Sequence, residues 1–145
     1  MNVTIEVLAE VTDEVTDAFE RLLPQLSRSA RPLDESALSR LVSYESNTVL
    51  IARAPDNIVG TLTLVMFPIP SGLRARIEDV VVDESARGQG VGALLTEEAL
   101  RLATAAGART VDLTSRPDRT AANRLYQRLG FQLRNSQVYR FTVEQ

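Results

Sequence analysis

The chain has 145 residues, 44% of them hydrophobic and 24% charged, and a formal net charge of −3 at pH 7, which is typical of one globular domain. It contains neither Cys nor His, which excludes disulfides, cysteine nucleophiles, His-containing hydrolase triads and zinc-protease sites. An enzyme with this composition relies on carboxylates, hydroxyls, Arg, water and backbone amides, and we expect no metal.

The first half of the chain predicts one strand, two helices and then three further strands. Residues 3–8 favour a strand, and Thr12 is a suitable N-cap for a helix that extends to about residue 26. Asp34 opens a second, short helix. Residues 48–54 and 58–67 favour an antiparallel hairpin because Pro55-Asp56-Asn57 separates them, and residues 73–83 favour a long strand that ends in Val80-Val81-Val82.

The second half predicts a parallel strand pair. From Gly90 the apolar period becomes helical and ends at Gly107, after which residues 111–115 favour a strand. A helix between two strands indicates a right-handed crossover with parallel pairing. A last helix is expected over residues 120–129, and short strands over residues 131–133 and 138–143. No linker divides the sequence, so we predict a single α/β domain over residues 1–145.

The charge is unevenly distributed along the chain. Residues 1–86 hold 7 Arg against 14 acids, and residues 87–145 hold 9 Arg against 5 acids. A basic C-terminal half suits an anionic ligand and an acidic N-terminal half suits a cationic co-substrate, although two solvated faces would also produce this imbalance. Net negative charge argues against nucleic acid as a partner. The longest largely apolar run, residues 58–67, is too short to cross a bilayer, so we expect a cytoplasmic protein without a membrane partner.

The loop between the valine strand and the following helix has the features of an anion-binding site. The strand stops at Asp83, and a loop rich in Gly presents backbone N–H groups at a helix N-terminus, beside Arg87. Glycines that merely turn the chain are one alternative. A P-loop is rejected because Ala93 follows Gly92. Gly88-x-Gly90-x-x-Ala93 satisfies a relaxed dinucleotide fingerprint, but too little chain follows to build a dinucleotide-binding sheet.

Two motifs resemble one family. Arg87-x-x-Gly90-x-Gly92, which follows Val80-Val81-Val82, resembles the coenzyme-binding motif of the GNAT superfamily of N-acetyltransferases. Residues 122–131, in which Tyr126 stands four residues before Gly130-Phe131, are similar to the later motif of that superfamily. The resemblance implies a single-domain GNAT-like α/β fold, with a mixed central sheet of six to seven strands, a splayed parallel strand pair and about four helices.

The resemblance also implies roles for particular residues. Acetyl-CoA would be the co-substrate, and the main chain of Val80, Val81 and Val82 would pair with its pantetheine arm. Tyr126 would contact the coenzyme and act as the acid that protonates the leaving thiolate, although it could instead be a core aromatic. Many members have Asn seven residues before this Tyr, where it contacts the pantetheine arm. This chain has Arg119 at that position, so Arg119 or Asn123 would make the contact instead. The pyrophosphate would lie on Arg87, Gly88, Gln89, Gly90, Val91 and Gly92.

Glu78 is our candidate for the general base. Glu78 and Asp79 lie on opposite faces of a regular strand, so only one of them faces the cleft, and Glu78 would share a face with Val80 and Val82. An ion pair with a neighbouring Arg is the competing interpretation of either acid. Residues 77–82 also resemble the corresponding strand of glucosamine-phosphate N-acetyltransferases, a local likeness that does not establish an aminosugar substrate.

These features predict an acetyl-CoA-dependent N-acetyltransferase that acts on a primary amine of a small molecule or peptide, by direct transfer in a ternary complex. The alternatives are a non-catalytic acetyl-CoA-binding sensor or interaction module and, third, a nucleotide oxidoreductase. Residues 24–36 and 135–137 are expected to flank the amine. The last strands leave an edge that a second copy could cover, which is compatible with a homodimer. The acceptor amine, the length of the acyl group and the identity of the base stay open.

Overall fold

A computed structural model describes residues 2–144 of the chain. The helices and the first five strands occur in the order that the hydrophobic pattern predicts, and a short 3-10 turn follows the fourth strand. In chain order the elements are β1 (Thr4–Val7), α1 (Asp13–Leu26), α2 (Glu35–Ser43), β2 (Asn47–Arg53), β3 (Ile58–Ile69), β4 (Gly72–Val82), the 3-10 turn (Glu84–Ala86), α3 (Val91–Ala106), β5 (Val111–Asp112) and α4 (Thr120–Arg128).

The strands form one mixed sheet in the order β1-β2-β3-β4-β5. The first four strands pair antiparallel, and β4 pairs parallel with β5 through Ala75 opposite Val111 and Arg76 opposite Asp112. The predicted α/β class, the parallel pair and the four helices are therefore confirmed for residues 2–144. The chain divides into a larger compact unit that ends at Leu113 and a smaller one that starts at Thr114 and contains α4. The extent of the functional domain, residues 1–145, stays a prediction.

The predicted number of strands is wrong. The sheet has five strands within residues 2–144, not six to seven, because residues 131–133 and 138–143 form none. An apolar alternation produces a strand only when the backbone finds a hydrogen-bonded neighbour, and the ladders end at β5. The apolar side chains of this C-terminal segment are exposed instead: Leu133, Val138, Tyr139, Phe141 and Val143.

Local signals explain where the first two helices begin. The Thr12 hydroxyl accepts a hydrogen bond from the backbone N–H of Val15 at 3.4 Å, and the Asp34 carboxylate accepts one from Ala37 at 2.7 Å. Both caps satisfy a donor that the first helical turn leaves unpaired. The apolar faces of α1 and α2 then pack on one side of the sheet, in a buried cluster that includes Leu22, Leu38, Val49, Ile51 and Val81.

Helix α3 approaches the other face of the sheet closely at Gly60. A Cβ atom added to Gly60 would lie 3.3 Å from side-chain atoms of both Val91 and Leu95 and 3.2 Å from the Val81 carbonyl. Only a residue without a side chain permits this approach without displacement of its neighbours. Gly60 thus allows the first turn of α3 to sit directly against β3 and the end of β4.

Candidate coenzyme site

A β-bulge interrupts β4 just before the three valines. Thr63 lies opposite Glu78 and Thr61 lies opposite Val81, so two residues of β4 face the single residue between these threonines on β3. One of the two, Asp79, has a φ of 50°, which is uncommon outside glycine. The bulge places Glu78 and Val81 on the same face. Our expectation that Glu78 shares a face with Val80 and Val82 assumed an unbroken strand and is wrong.

The C-terminal half of β4 extends beyond its parallel partner. Pairing with β5 stops at Arg76, whereas β4 continues to Val82. The main chain of Val80 to Val82 is therefore not paired with β5, although β3 pairs with it from the other side. Such an edge can accept an extended, amide-containing ligand as an added strand would.

The segment of residues 87–92, hereafter called the pyrophosphate loop after the ligand that its sequence predicts, depends on two glycines for its path. Gly88 and Gly90 have φ values of 77° and 82°, in the left-handed region. A Cβ atom added to either would meet nothing within 4 Å. These glycines are thus required for backbone conformation, and the space beside them stays open.

The first backbone N–H groups of α3, which adjoin this loop, have no hydrogen-bond acceptor within the helix. Its N-cap is Gly90, which has no side chain to accept a hydrogen bond, and the first intrahelical bond runs from the N–H of Leu94 to the Gly90 carbonyl at 3.1 Å. The N–H groups of Val91, Gly92 and Ala93 precede that bond and have no acceptor within the helix. Together with the helix dipole they form a site for an anion.

Two polar side chains shape the pyrophosphate loop. Arg87 is exposed, and its Nε donates to the carbonyl of Val82 at 3.2 Å, so the guanidinium folds back toward the end of β4. The side-chain amide of Gln89 lies 3.5 Å from the carbonyl of Ser85, at the limit of a hydrogen bond. The predicted residues 80–82 and 87–92 are therefore brought together in one stretch of the larger unit.

Glu78 is exposed and paired. Its Oε1 lies 3.8 Å from Nη2 of Arg76, which precedes it by two residues on the same strand. A half-exposed pair of this length contributes little to stability. The ion pair was our competing interpretation of Glu78, and the geometry is compatible with it.

Tyr126 is held by the end of α4 in the smaller unit. Gly130 has a φ of 102° and donates to the carbonyl of Gln127 at 3.1 Å, while Phe131 donates to the carbonyl of Tyr126 at 2.9 Å. These two bonds are the Schellman motif, which favours glycine at the first residue after the cap. The Tyr126 and Phe131 rings meet edge to face with centroids 5.7 Å apart. The spacing of Tyr, Gly and Phe in the sequence thus has a local structural cause.

Burial raises the pKa of the Tyr126 hydroxyl, and the nearby charge of Arg119 partly offsets this. Tyr126 is only 9% exposed, and a phenol in such a site stays protonated at neutral pH. Arg119 is the N-cap residue of α4, where its side chain makes no capping bond. Asn123 donates from its amide to the carbonyl of Arg116 at 3.0 Å and so closes the loop before the helix.

A side-chain cluster next to the pyrophosphate loop was not found from sequence. Asp83 is buried, and the side chain of Gln25 from α1 binds both Asp83 and the backbone of Glu84. No periodicity or motif links two residues 58 positions apart. The one available signal was the position of Asp83 at the end of an apolar strand.

The sequence over residues 8–131 matches the family model described as the Acetyltransferase (GNAT) family. The chain belongs to the GNAT acetyltransferase family. The match spans both motifs, from Leu8, directly after β1, to Phe131, which closes the Schellman motif. This bears out the resemblance that residues 87–92 and 122–131 indicate.

This GNAT chain is similar to several other proteins over most of its length. It is 27% identical over 126 residues to an uncharacterised protein of Mycobacterium leprae, covering 87% of the chain but about a third (34%) of that relative's length. Among solved structures, a transcriptional regulator from Bacillus halodurans is 27% identical with a TM-score of 0.80, and a Trypanosoma brucei acetyltransferase is 26% identical with a TM-score of 0.81. Each alignment covers 97% of this chain and 100% of the other.

A glucosamine-6-phosphate N-acetyltransferase from Arabidopsis thaliana has the same fold. It aligns over 97% of this GNAT chain and 99% of its own, with a TM-score of 0.80 and 20% identity. Across residues 2–144, no group of three or more acidic side chains is arranged to hold a metal ion. None of the helices formed by those residues is long and apolar enough to cross a membrane.

Proposed function

We propose that this GNAT protein transfers an acetyl group from acetyl-CoA to a primary amine of a small molecule or peptide, by direct transfer in a ternary complex. The observation that carries the proposal is the N-terminus of α3, where Gly90 leaves the first N–H groups uncapped beside an open loop. Such a terminus fits a pyrophosphate, whose oxygens accept hydrogen bonds from several amides at once.

The coenzyme would lie along two neighbouring segments. Backbone amides of Gln89 to Gly92 would hold the pyrophosphate, with Arg87 contributing its charge. The pantetheine amides would add to the edge of β4 at Val80 to Val82, where pairing with β5 has ended. When bound, the coenzyme supplies the thioester: the amine nitrogen forms a bond to the acetyl carbon, the carbon–sulfur bond breaks, and the thiolate takes up a proton.

Two side chains would handle protons. Tyr126 would donate to the leaving thiolate, because burial keeps its hydroxyl protonated. Glu78 would take the proton of the attacking ammonium through a water molecule, since an alkyl ammonium with a pKa of about 10.4 must become neutral before it attacks. Arg76 lies beside Glu78, with Nη2 3.8 Å from Oε1. Without Cys, a cysteine acyl-enzyme is excluded, which favours direct transfer.

The acceptor would be recognised outside these segments. Residues 27–34 connect α1 to α2 and are mostly exposed, and they lie within the stretch that we expect to flank the amine. The likeness to the glucosamine-6-phosphate enzyme concerns the fold, so it does not favour an aminosugar over a peptide amine. We further propose a cytoplasmic homodimer, supported by the exposed apolar side chains of Tyr139, Phe141 and Val143, which a second copy would cover.

Free thiol release tests the activity. The protein is incubated with acetyl-CoA and a panel of small amines and N-terminal peptides, and free CoA is measured against a no-amine control. Amine-dependent release supports the proposal. Tight CoA binding without release for any amine would support the alternative, a non-catalytic coenzyme sensor. That alternative is kept because one structural relative is described as a transcriptional regulator. Binding of NAD where CoA shows none would favour the oxidoreductase.

A further inference from the structure

The end of α1 is tied to the end of β4 by one side chain that makes two hydrogen bonds. Gln25 donates from Nε2 to Oδ1 of Asp83 at 2.7 Å, and its Oε1 accepts from the backbone N–H of Glu84 at 2.9 Å. Gln25 lies in the last turn of α1, and Glu84 is the first residue of the 3-10 turn. Gln25 therefore fixes both a side chain and the main chain at the point where the strand ends.

Asp83 is bound from several sides at once. Its N–H donates to the carbonyl of Val59 on β3 at 2.7 Å, and its second carboxylate oxygen accepts from the hydroxyl of Ser85. The Arg21 guanidinium lies 3.9 Å away and also donates to the carbonyl of Ile58. Hydrogen bonds from Gln25 and then Ser85 hold the pKa of Asp83 below its ordinary value, against the opposing effect of burial. Asp83 is therefore an ionised, fully engaged residue at neutral pH.

The cluster that Gln25, Ser85 and Arg21 form around Asp83 lies directly before the pyrophosphate loop. Ala86 is buried and donates to the carbonyl of Asp83 at 2.8 Å, which closes the 3-10 turn directly before Arg87. Farther along, a Cβ atom added to Gly88 or Gly90 would meet no atom within 4 Å, so side-chain packing at these two positions does not hold the loop. Asp83 and the groups that bind it thus fix the start of the loop, and the hydrogen bonds of Arg87 and Gln89 act beyond that point.

We propose that Gln25 and Asp83 are positioning residues that hold the pyrophosphate loop in the conformation that binds the coenzyme. The inference rests on the proposed function, since it assumes that this loop binds CoA. The inference also connects the two substrates. Gln25 belongs to the segment expected to flank the amine, while its hydrogen bonds act at the start of the pyrophosphate loop. The competing explanation is that Gln25 only fastens α1 to the sheet and adds stability.

A second tie between α1 and the sheet provides a matched control. At the start of α1, Glu14 accepts from Nη1 of Arg53 on β2 at 2.7 Å, and Glu6 on β1 accepts from Nε of the same Arg at 3.0 Å. Glu14→Ala removes a contact between α1 and the sheet and leaves the pyrophosphate loop untouched. Gln25→Ala removes the corresponding tie at the other end of the helix.

The experiment measures the Kd for CoA by calorimetry, the KM and kcat for acetyl-CoA, and amide hydrogen exchange of residues 87–92 in the ligand-free protein. In Gln25→Ala we expect Kd and KM to rise about tenfold with kcat nearly unchanged, and exchange in the loop to be faster. Glu14→Ala should lower the melting temperature and leave these quantities as in the wild type. Asp83→Asn keeps an oxygen toward Gln25 and should recover part of the affinity that Asp83→Ala loses.

Each outcome either supports or overturns the inference that Gln25 and Asp83 position the pyrophosphate loop. Wild-type CoA affinity in Gln25→Ala would overturn the inference, and so would an equal loss in Glu14→Ala, since that loss would come from general stability. Faster loop exchange with unchanged CoA affinity would also overturn it. If the wild-type protein binds no CoA, the proposed function itself fails and this inference falls with it, an outcome distinct from binding that the variants leave unaltered. If Gln25→Ala does not fold, the comparison of Asp83→Asn with the wild type takes its place.

Discussion

Phe131 donates its backbone N–H to the carbonyl of Tyr126, and the rings of the same two residues meet edge to face at 5.7 Å. One turn of backbone thus fixes the main chain and the side chain of Tyr126 together. The glycine between them permits both contacts, because its φ of 102° is accessible to few other residues.

Gly130→Ala is expected to destabilise the chain and disturb Tyr126. An L-residue in a left-handed conformation costs about 1–2 kcal/mol, which denaturant unfolding would measure. We expect kcat to fall as well, because the Schellman bonds hold the backbone of Tyr126. Gly130→Asn should lose less, since Asn tolerates this conformation. Equal losses for Ala and Asn would show that backbone conformation is not the cause.

Tyr126→Phe isolates the hydroxyl from the ring. Phe retains the edge-to-face contact with Phe131, so we expect little change in CoA affinity and a kcat lower by on the order of 10²-fold, as for loss of a general acid. Because burial raises the pKa of Tyr126 above its ordinary 10.0, the wild type should retain its proton donor across the neutral and mildly alkaline range. A rate unchanged from the wild type would remove Tyr126 from the mechanism.

The two motifs could be predicted from the sequence because each lies within one short segment of the chain. Arg87 to Gly92 and Tyr126 to Phe131 are short segments whose glycines mark left-handed backbone, and the structure has positive φ at Gly88, Gly90 and Gly130. The bulge at Asp79 was not readable, because an Asp in a strand pattern gives no sign of a change in register. The pairing of Gln25 with Asp83 depends on tertiary packing between α1 and β4. The last strands were predicted from alternation alone, which does not reveal whether a neighbouring strand is present.

Gly90→Ala should weaken CoA binding at least about tenfold, as loss of one hydrogen bond to a charged group does. A Cβ at this position meets no atom within 4 Å, so the effect would come from the backbone, which must leave its φ of 82° and turn the N–H groups of α3 away. Gly107→Ala, at the C-terminus of the same helix with a φ of 86°, is the control. It should lower stability similarly without a change in the Kd measured by calorimetry.

Asp79→Val tests the bulge. A β-branched residue at a φ of 50° is strongly disfavoured, so we expect the free energy of unfolding to fall by about 1–2 kcal/mol. Asp79→Gly should stay within about 1 kcal/mol of the wild type, because glycine adopts this conformation freely at an entropic cost. If the valine variant is as stable as the glycine variant, the chain does not form the bulge in solution.

Asp83→Asn should remove a pH-dependent part of the stability. Because the folded-state pKa of Asp83 lies below its ordinary value of 3.8, its ionised form stabilises the fold at all pH values well above 3.8. That contribution is lost as the pH falls through the lower folded-state pKa. We expect the asparagine variant to be less stable by about 1.5 kcal/mol at neutral pH, the value of a hydrogen bond to a charged group. The difference should shrink toward zero in acid, as urea unfolding at a series of pH values would measure.

Glu98→Gln is the control: Glu98 pairs with an exposed Arg101 and also has a lowered pKa, but solvent screens that pair. A stability difference for Asp83→Asn that persists unchanged below pH 3 would mean that the carboxylate charge is not its source.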